Sequence, residues 1–563
     1  MSFFQRLQAR GLTLTACCLV AGGLIATLFG GCDSGEPNDS DGGDPVPERT
    51  AMSIDSIFDS LHPERYRINV PADLPTTYLN NWGAENLEKL LGEGVDEDAL
   101  KKKLSTLLSE KQLQRVLRKD FVVRDSVHLR DMTWARQLLH AIRVEGESDV
   151  AQVTRLFYYV NSLIRLNTES EIVIPLSPFD TALYGRGTAA DRVWVYSCLM
   201  RQLGLPVLVV VQEKADSASA PLVAGVVIDE EVYLFDFQLG LPISSTTSPP
   251  KKALPLLPAT FKQVLADDGL LRAFDVEEIP YPVTAETLKK SRLMIAGDSS
   301  VWARRMEAVQ YALKGNVVPV TYEPLVGYGA FEEEGGVFEI VSEAVAGLVP
   351  EGSVGVWEYP EIQRDAVENL TKEQTAELNR MHEPMRAPRT YRQVPGAGNV
   401  GPKIVFGAGR QLQLQARLMQ ILGEPQKAIS IYLKIQTSRR SAPKSDPQQA
   451  ILPKLEEQLA NNFPQDILSL HERAAQTAMF WQATCQLQLN KLTAAGTDFS
   501  RWLIIVRTPE SMGQAALLTA VAFAQQGQFL SASGFLSRVP EGDPIYQTAQ
   551  VLKARWDAIE AAE

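Results

Sequence analysis

The sequence predicts a multidomain α+β protein: a helical lead-in, an α+β core and a C-terminal array of α-helices. Three observations carry that expectation. The chain has 563 residues, several times the roughly 150 that one domain takes. Apolar residues make up 45 % and charged residues 22 %, the proportions of folded soluble chains rather than of disordered, collagen-like or polytopic membrane proteins. The apolar period is helical up to about residue 200, strand-like from Leu205 to Phe237, mixed beyond that, and helical throughout after about residue 405.

Charge and composition then narrow the function classes. Lys+Arg 55 against Asp+Glu 68 leaves a formal charge of −13, which disfavours attraction to nucleic acid, so no nucleic-acid partner is expected. Five Cys cannot build a disulfide scaffold, and five His leave little material for a histidine-rich site. Neither a metal nor a cofactor is expected.

At the N-terminus Arg6 and Arg10 precede an uncharged, mostly apolar run from Gly11 to Phe29, the pattern of an export signal. Leu28-Phe29-Gly30-Gly31-Cys32 resembles the cleavage region of a bacterial lipoprotein, with Phe29 where that family usually has a branched aliphatic. The resemblance implies that residues 1–31 are removed, that Cys32 is lipidated, and that the protein sits on the non-cytoplasmic, periplasmic face of a membrane in the cell envelope. An uncleaved anchor helix is the other reading of the same run, and it tethers the chain on the same side. Residues 32–50 are acidic and rich in Gly, Pro, Ser and Asp, with little to bury, and read as a disordered tether.

Residues 51–148 form the helical lead-in, with Leu87, Leu90 and Leu91 and then Leu100, Leu104, Leu107 and Leu108 at helical steps. Further helices are expected over Asp131–Ile142 and Asp149–Leu166. The core spans 149–250. A loop around Thr181–Thr188 leads into a helix ending at Leu203-Gly204, followed by strands over Leu205–Val211, Leu222–Ile228 and Glu231–Phe237, the last two joined by an Asp229-Glu230 turn.

Leu199-Met200-Arg201-Gln202-Leu203-Gly204-Leu205-Pro206-Val207, then Ala224-Gly225-Val226-Val227-Ile228 and Val232-Tyr233-Leu234-Phe235-Asp236, resembles the core of the transglutaminase-like superfamily, a papain-like α+β fold. That family places a nucleophilic Cys at the helix N-terminus, a His on the first hairpin strand as its base, and an Asp on the next strand to orient the His. Here the Cys position falls on Ala189 and the His position on Pro221, and residues 141–381 contain no His. Asp236 alone matches. Cys198 lies further down the same helix and reads as a packing residue. The resemblance therefore implies a fold without its triad.

The polar segment Tyr184-Gly185-Arg186-Gly187-Thr188-Ala189-Ala190-Asp191-Arg192 has two readings. Arg186, Gly187, Thr188, Asp191 and Arg192 could receive an anion or a peptide carboxylate at a helix N-terminus. Alternatively Thr188 caps the helix, Asp191 completes the cap, and Arg186 or Arg192 pairs with Asp191. His62, His128 and His140 could fold over the cleft and restore a base, His128 being the first of them to consider.

Residues 251–395 read as an α/β extension, with helices over Phe261–Phe274, Ala285–Met294 and Val301–Leu313 and strands over Val317–Tyr322 and Val337–Val341. Glu332-Glu333-Glu334 reads as a solvated turn, not a metal site. Gly396-Ala397-Gly398-Asn399-Val400-Gly401 matches G-x-G-x-x-G but lacks the strand, the opening helix and the later acidic residue of a dinucleotide site, so 396–410 reads as a linker.

In 411–563, Ala416, Met419, Gly423, Ala428 and Tyr432 fall at steps of 3, 4, 5 and 4. Ala483, Gln486, Asn490, Ala495 and Phe499 repeat those steps, as do Ala520, Phe523, Gly527, Ala532 and Leu536. The pattern resembles the tetratricopeptide repeat (TPR), with one unit lost around the Thr437–Asp446 loop, and the resemblance implies a surface for a protein or peptide partner. The function expected is a membrane-anchored envelope protein with a non-catalytic core that binds or scaffolds through its repeats. The alternative is a divergent hydrolase or acyltransferase acting on envelope peptide bonds, with Asp236, Thr188 and Asp191 in its site.

Overall fold

The computed structural model describes residues 52–562 apart from 69–72, 92–100, 103, 213–221, 246–252, 277–278, 314–317, 323–335, 387–390, 395–402, 407–411, 439–464 and 507–508. The export signal, the tether with Cys32, Pro221, Leu100, Glu332–Glu334, Gly396–Gly401 and most of the Thr437–Asp446 loop lie outside the described residues.

In chain order the helices before the sheet are α1 (Ile54–Leu61), α2 (Asp73–Leu91), α3 (Glu110–Leu117), α4 (Val123–Ile142) and α5 (Asp149–Leu163). A short pair, β1 (Arg165–Leu166) and β2 (Arg186–Gly187), brackets α6 (Pro178–Tyr184), and α7 (Ala189–Arg201) follows. In α2 the buried face is Thr76, Leu79, Trp82 and Gly83, while Leu87, Leu90 and Leu91 stay partly exposed; Leu104 and Leu108 are buried as their spacing predicts.

Every residue of α7 except Ala190 is buried, so this helix is the spine of the core. Thr188 caps its start and Gly204, at φ +72°, closes its end, with the Leu205 N–H reaching back to the Met200 carbonyl. Against it lie β3 (Val207–Val211), β4 (Val223–Ile228), β5 (Glu231–Asp236) and the short edge strand β6 (Leu241–Pro242). The β4–β5 connection is a two-residue turn with Asp229 at φ 48° and Glu230 at φ 68°, the left-handed pair that matches the twist of a hairpin. Phe157 of α5 meets Phe235 and Phe237 at ring-centroid distances of 4.9 and 4.8 Å, and Tyr196 of α7 meets Phe237 at 5.2 Å. All four are fully buried, and truncating one phenylalanine would cost about 3–5 kcal/mol.

The next helices are α8 (Phe261–Ala266), α9 (Gly269–Arg272), α10 (Ala285–Lys289), α11 (Arg304–Ala312), α12 (Val337–Ala344), α13 (Tyr359–Glu368) and α14 (Lys372–Arg386). Between them run β7 (Arg292–Ala296) and β8 (Val354–Trp357). The sheet has six strands in the order β6-β5-β4-β3-β7-β8, antiparallel throughout except for the parallel pair β7–β8.

Several expectations for 251–395 need correction. Val337–Val341 is part of helix α12, whose inner face is Val337, Phe338, Val341 and Ala344. Val318–Tyr322 is irregular backbone, not strand. Ala285–Met294 splits into α10 and the start of β7, because Leu293 to Ala296 is an apolar run recruited between β3 and β8. Phe261–Phe274 is two short helices, and the Thr181–Thr188 loop begins inside α6. A strand precedes Gly396–Gly401, where none was expected, and the expected absence of a helix opening on it holds because a second strand follows: β9 (Tyr391–Val394) pairs antiparallel with β10 (Lys403–Phe406), so part of the expected linker is a two-stranded ribbon.

Beyond it come α15 (Leu412–Ile421), α16 (Pro425–Ser438), α17 (Gln465–Gln488), α18 (Leu492–Ile505), α19 (Pro509–Ala524), α20 (Phe529–Leu536) and α21 (Tyr546–Ala562). Gly423, Asn490 and Gly527 turn the chain between the members of each pair, at φ 82°, 56° and 76°. Ala416, Ala428, Tyr432, Ala483, Ala495 and Phe499 are fully buried in a shared core.

From Ser53 onward the chain forms one compact unit. Arg417 of α15 stands with its guanidinium 3.4 Å from the Trp481 ring centre and donates to the carbonyls of Leu183 (2.9 Å) and Ala182 (2.6 Å) at the end of α6. Gly185 is left-handed there, and a Cβ on it would lie 2.3 Å from Trp481. Further side chains bond to backbone carbonyls across the same seam: Trp134 to Ile421, Gln514 to Asn161, Thr548 to Leu239 and Trp556 to Ala253. Among the described residues, no helix is long and apolar enough to cross a membrane.

Candidate functional site

Of the residues singled out by sequence, Thr188, Asp191, Arg192 and Asp236 meet near the N-terminal end of α7, whereas the Arg186 side chain, Cys198 and His128 lie elsewhere. Asp236 closes β5 with its side chain fully buried. One carboxylate oxygen accepts from the backbone N–H groups of Gln238 (2.7 Å) and Leu239 (2.8 Å), and the other accepts from the Tyr281 hydroxyl (2.6 Å). Burial pushes the carboxyl up from its usual range, against the pull of these bonds and of the nearby Arg192. Arg192 does not pair with Asp191. It donates to the carbonyls of Ile164 and Phe237, and burial lowers its guanidinium to about 9.

Thr188 and Asp191 form a reciprocal cap: the Asp191 N–H donates to Thr188 Oγ1 (3.1 Å), and the Thr188 N–H and hydroxyl donate to the Asp191 carboxylate (2.8 and 2.9 Å). The second carboxylate oxygen accepts from the Tyr359 hydroxyl (2.9 Å), which also lies 3.0 Å from Thr188 Oγ1. Burial raises the Asp191 carboxyl. Gly187 is required here because a Cβ would stand 2.9 Å from the Asp191 Cβ. Arg186 turns away toward Glu171 (3.2 Å), Glu377 (2.9 Å) and the Ile172 carbonyl. Capping, with tyrosine in place of arginine as the third partner, describes the segment, and the Asp191 N–H that an anion would use is taken by Thr188.

Ala189, the position of the family's nucleophile, is a buried alanine. Among the described residues no Cys or His hydrogen-bonds to Asp236, Asp191 or Thr188. His62 lies between α1 and the turn after it, and His140 is exposed near the end of α4. Cys198 is buried near the other end of α7, and burial pushes its thiol up to about 12, the protonated and unreactive form. Cys485 is likewise buried and free.

A denser polar cluster, unseen in the sequence, surrounds that other end. Arg364 of α13 bridges Asp298 (2.8 Å) and Asp131 (2.7 Å), with its guanidinium over Trp194 of α7. All three ionic groups are at most 4 % exposed. Arg305 pairs with Asp125, Arg124 with Glu361, Asp365 and Glu368, and Arg115 with Glu361 and Asp365. His128 belongs to this cluster, not to the Asp236 turn: its Nε2 bonds to the Val320 carbonyl (2.7 Å) and its Nδ1 lies 3.8 Å from Asp298. No local sequence signal marks these pairs, because the members contributed by α4 on one side and by α11 or α13 on the other are separated by 180 to 244 residues. No group of three or more metal-ligating side chains occurs among the described residues.

Comparison of the chain with family models, with curated proteins and with solved structures finds no match.

Proposed function

We propose that this protein is a membrane-anchored component of a bacterial cell envelope that binds or scaffolds a protein or peptide partner and performs no catalysis of its own. In this reading residues 1–31 are a lipoprotein signal, Cys32 carries the lipid on the periplasmic face, and 33–50 are the tether. Residues 149–250 are a transglutaminase-like core that has kept its framework without its chemistry, and 411–563 are TPR-like repeats. The order α7, β3, β4, β5 with Asp236 at the end of β5 supports the first resemblance. Three helix pairs with left-handed Gly423, Asn490 and Gly527 between their members support the second.

The observation that carries the non-catalytic reading is the company Asp236 keeps. Both of its oxygens are taken, by a tyrosine hydroxyl and two backbone amides, and the helix end beside it is a closed cap. A hydrolase or acyltransferase would need a nucleophile and a base in hydrogen-bond reach. In this reading the partner meets the second helices of the pairs, a choice supported by Arg417, Trp481 and Gln514 of the first helices already facing the α+β body. Leu433 on α16, Ile504 on α18 and Leu530 on α20 are exposed, the last two by 75 % and 73 %.

Photo-crosslinking groups installed in the full chain test this in cells. A group at Ile504 or Leu530 should give a discrete adduct that one at Gln514 does not; absence of any adduct at the outer positions would refute the partner surface. Separately, Cys32→Ala should release the protein from the membrane fraction or leave its precursor uncleaved, and unchanged lipid labelling would refute the anchor.

A further inference from the structure

We propose that the outward face of the C-terminal helices docks an acidic segment of a partner protein, and that Lys434, Arg501 and Arg538 read it at one cation per repeat. The proposal rests on the reading that a partner meets the second helices of the pairs.

The repeat spacing sets the register. Ala428, Ala495 and Ala532 hold one position in α16, α18 and α20, and Tyr432, Phe499 and Leu536 hold another, four residues on. All six are fully buried. Two residues after the second position stand Lys434, Arg501 and Arg538, and all three are exposed. Two residues turn a helix by about 200°, so a side chain two steps from an inward one points outward. The same place in three successive units therefore carries a cation on the side away from the shared core.

The face offers these cations little acid of its own. In α16, α18 and α20 the one acidic residue is Asp498, whose carboxylate accepts from Gln482 of α17 (2.7 Å). Glu424, in the turn before α16, is tied to Lys427 (2.5 Å). Among the described residues Arg501 and Arg538 pair with no carboxylate. This positive strip lies on a chain in which Asp and Glu outnumber Lys and Arg by 68 to 55. A carboxylate-rich partner is steered to the strip and repelled by the rest of the surface.

Each cation also has an apolar neighbour. Leu433 precedes Lys434, Ile504 lies three residues beyond Arg501, and the Arg538 guanidinium is 4.9 Å from the Phe535 ring centre. That pairing suits a segment in which carboxylates alternate with aliphatic side chains. A bilayer fits less well: Tyr432, Phe499 and Trp502 of α16 and α18 are buried, which leaves none of them for the headgroup level, and a net charge of −13 opposes approach to an anionic surface. Lys434 and Arg501 also lie near the C-terminal ends of their helices, where a cation is favourable without any partner, so the experiment must read binding per folded molecule.

A photo-crosslinking benzophenone side chain is placed at Leu530 of the full chain and read in cells. The backgrounds are the natural chain, Lys434→Glu/Arg501→Glu, and Lys89→Glu/Lys262→Glu, which changes the net charge equally at exposed lysines of the body. Leu530 lies on α20, so no reversal alters its own helix. Adduct per folded molecule should fall about tenfold or more in Lys434→Glu/Arg501→Glu and stay unchanged in the body pair. The partner peptide on the adduct, identified by mass spectrometry, should hold more Asp and Glu than Lys and Arg. An undiminished adduct, an equal loss in both pairs, or an attached segment without acidic excess overturns the assignment and leaves the partner surface standing. A lipid adduct, or no adduct in the natural chain, overturns both. Should the glutamates reduce the amount of folded protein, Lys434→Gln/Arg501→Gln removes the same cations, and the adduct must fall there too.

Discussion

The two ends of α7 solve the same problem in opposite ways. At the N-terminal end the buried carboxylates Asp191 and Asp236 are held by hydroxyls and backbone amides, from Thr188, Tyr359, Tyr281, Gln238 and Leu239. At the C-terminal end the buried carboxylates Asp131 and Asp298 are held by the guanidinium of Arg364. Burial pushes Asp191 and Asp236 up, and Asp131 as well in spite of Arg364, whereas Asp298, beside Arg364, His128 and Arg201 together, is held well below the usual carboxylate range. The end marked by a resemblance is chemically quiet, and the end without a motif concentrates the charge.

Breaking each end in turn measures that difference. Arg364→Ala leaves Asp131 and Asp298 without their cation and should cost about 3–5 kcal/mol in a denaturant titration. A loss below about 1 kcal/mol would mean that the pair is not the keystone of that end. Asp236→Asn removes a charge but leaves an acceptor for the Tyr281 hydroxyl and should cost about 1–3 kcal/mol. A cost equal to that of Arg364→Ala would erase the comparison.

Acid should act with opposite sign on the carboxyls Asp191 and Asp236 at one end and on His128 at the other. Asp191 and Asp236 have raised folded-state pKa values, so the folded state takes up protons before the unfolded one, and lowering the pH favours that end. His128 is pulled down by burial, so the unfolded state takes up the proton first, and stability from His128 is lost as the pH falls below about 6.5. Between pH 7 and 5 the natural protein should therefore lose up to about 1.4 kcal/mol per pH unit relative to His128→Gln, measured by urea unfolding at each pH. Parallel profiles for the two chains would contradict this. The smallest effect is expected at Thr188→Ala, about 1 kcal/mol for a lost cap, read as a shift in the thermal midpoint. A larger loss would show that the Tyr359 bond matters more than the cap.

How far the sequence foretold these ends follows from distance along the chain. The strands over Leu222–Ile228 and Glu231–Phe237 and their turn were readable because β-branched runs and a two-residue turn are local signals, and the structure places them within one residue. The Thr188–Asp191 cap was readable for the same reason. Val337–Val341 was misread because Val, Phe and Ile suggest a strand, while Val337, Val341 and Ala344 also lie along one helical face. Arg292–Ala296 was hidden because five residues cannot reveal their period until β3 and β8 flank them. Arg364, Asp298 and Asp131 were invisible, since each is an ordinary polar residue in its own segment and only the meeting of α4, the loop after β7 and α13 makes them a cluster. Arg417 was missed likewise: the repeat spacing marks Ala416 but says nothing of a guanidinium that caps α6 from another part of the chain.

The central claim is that the quiet end of α7 is structural. The most direct test replaces the chromosomal copy with full-length Asp236→Asn and measures the cellular phenotype together with the protein's abundance and thermal midpoint. The account predicts function retained in proportion to the folded protein present. Loss of function at unchanged abundance and unchanged midpoint would contradict it and return Asp236 to a catalytic role.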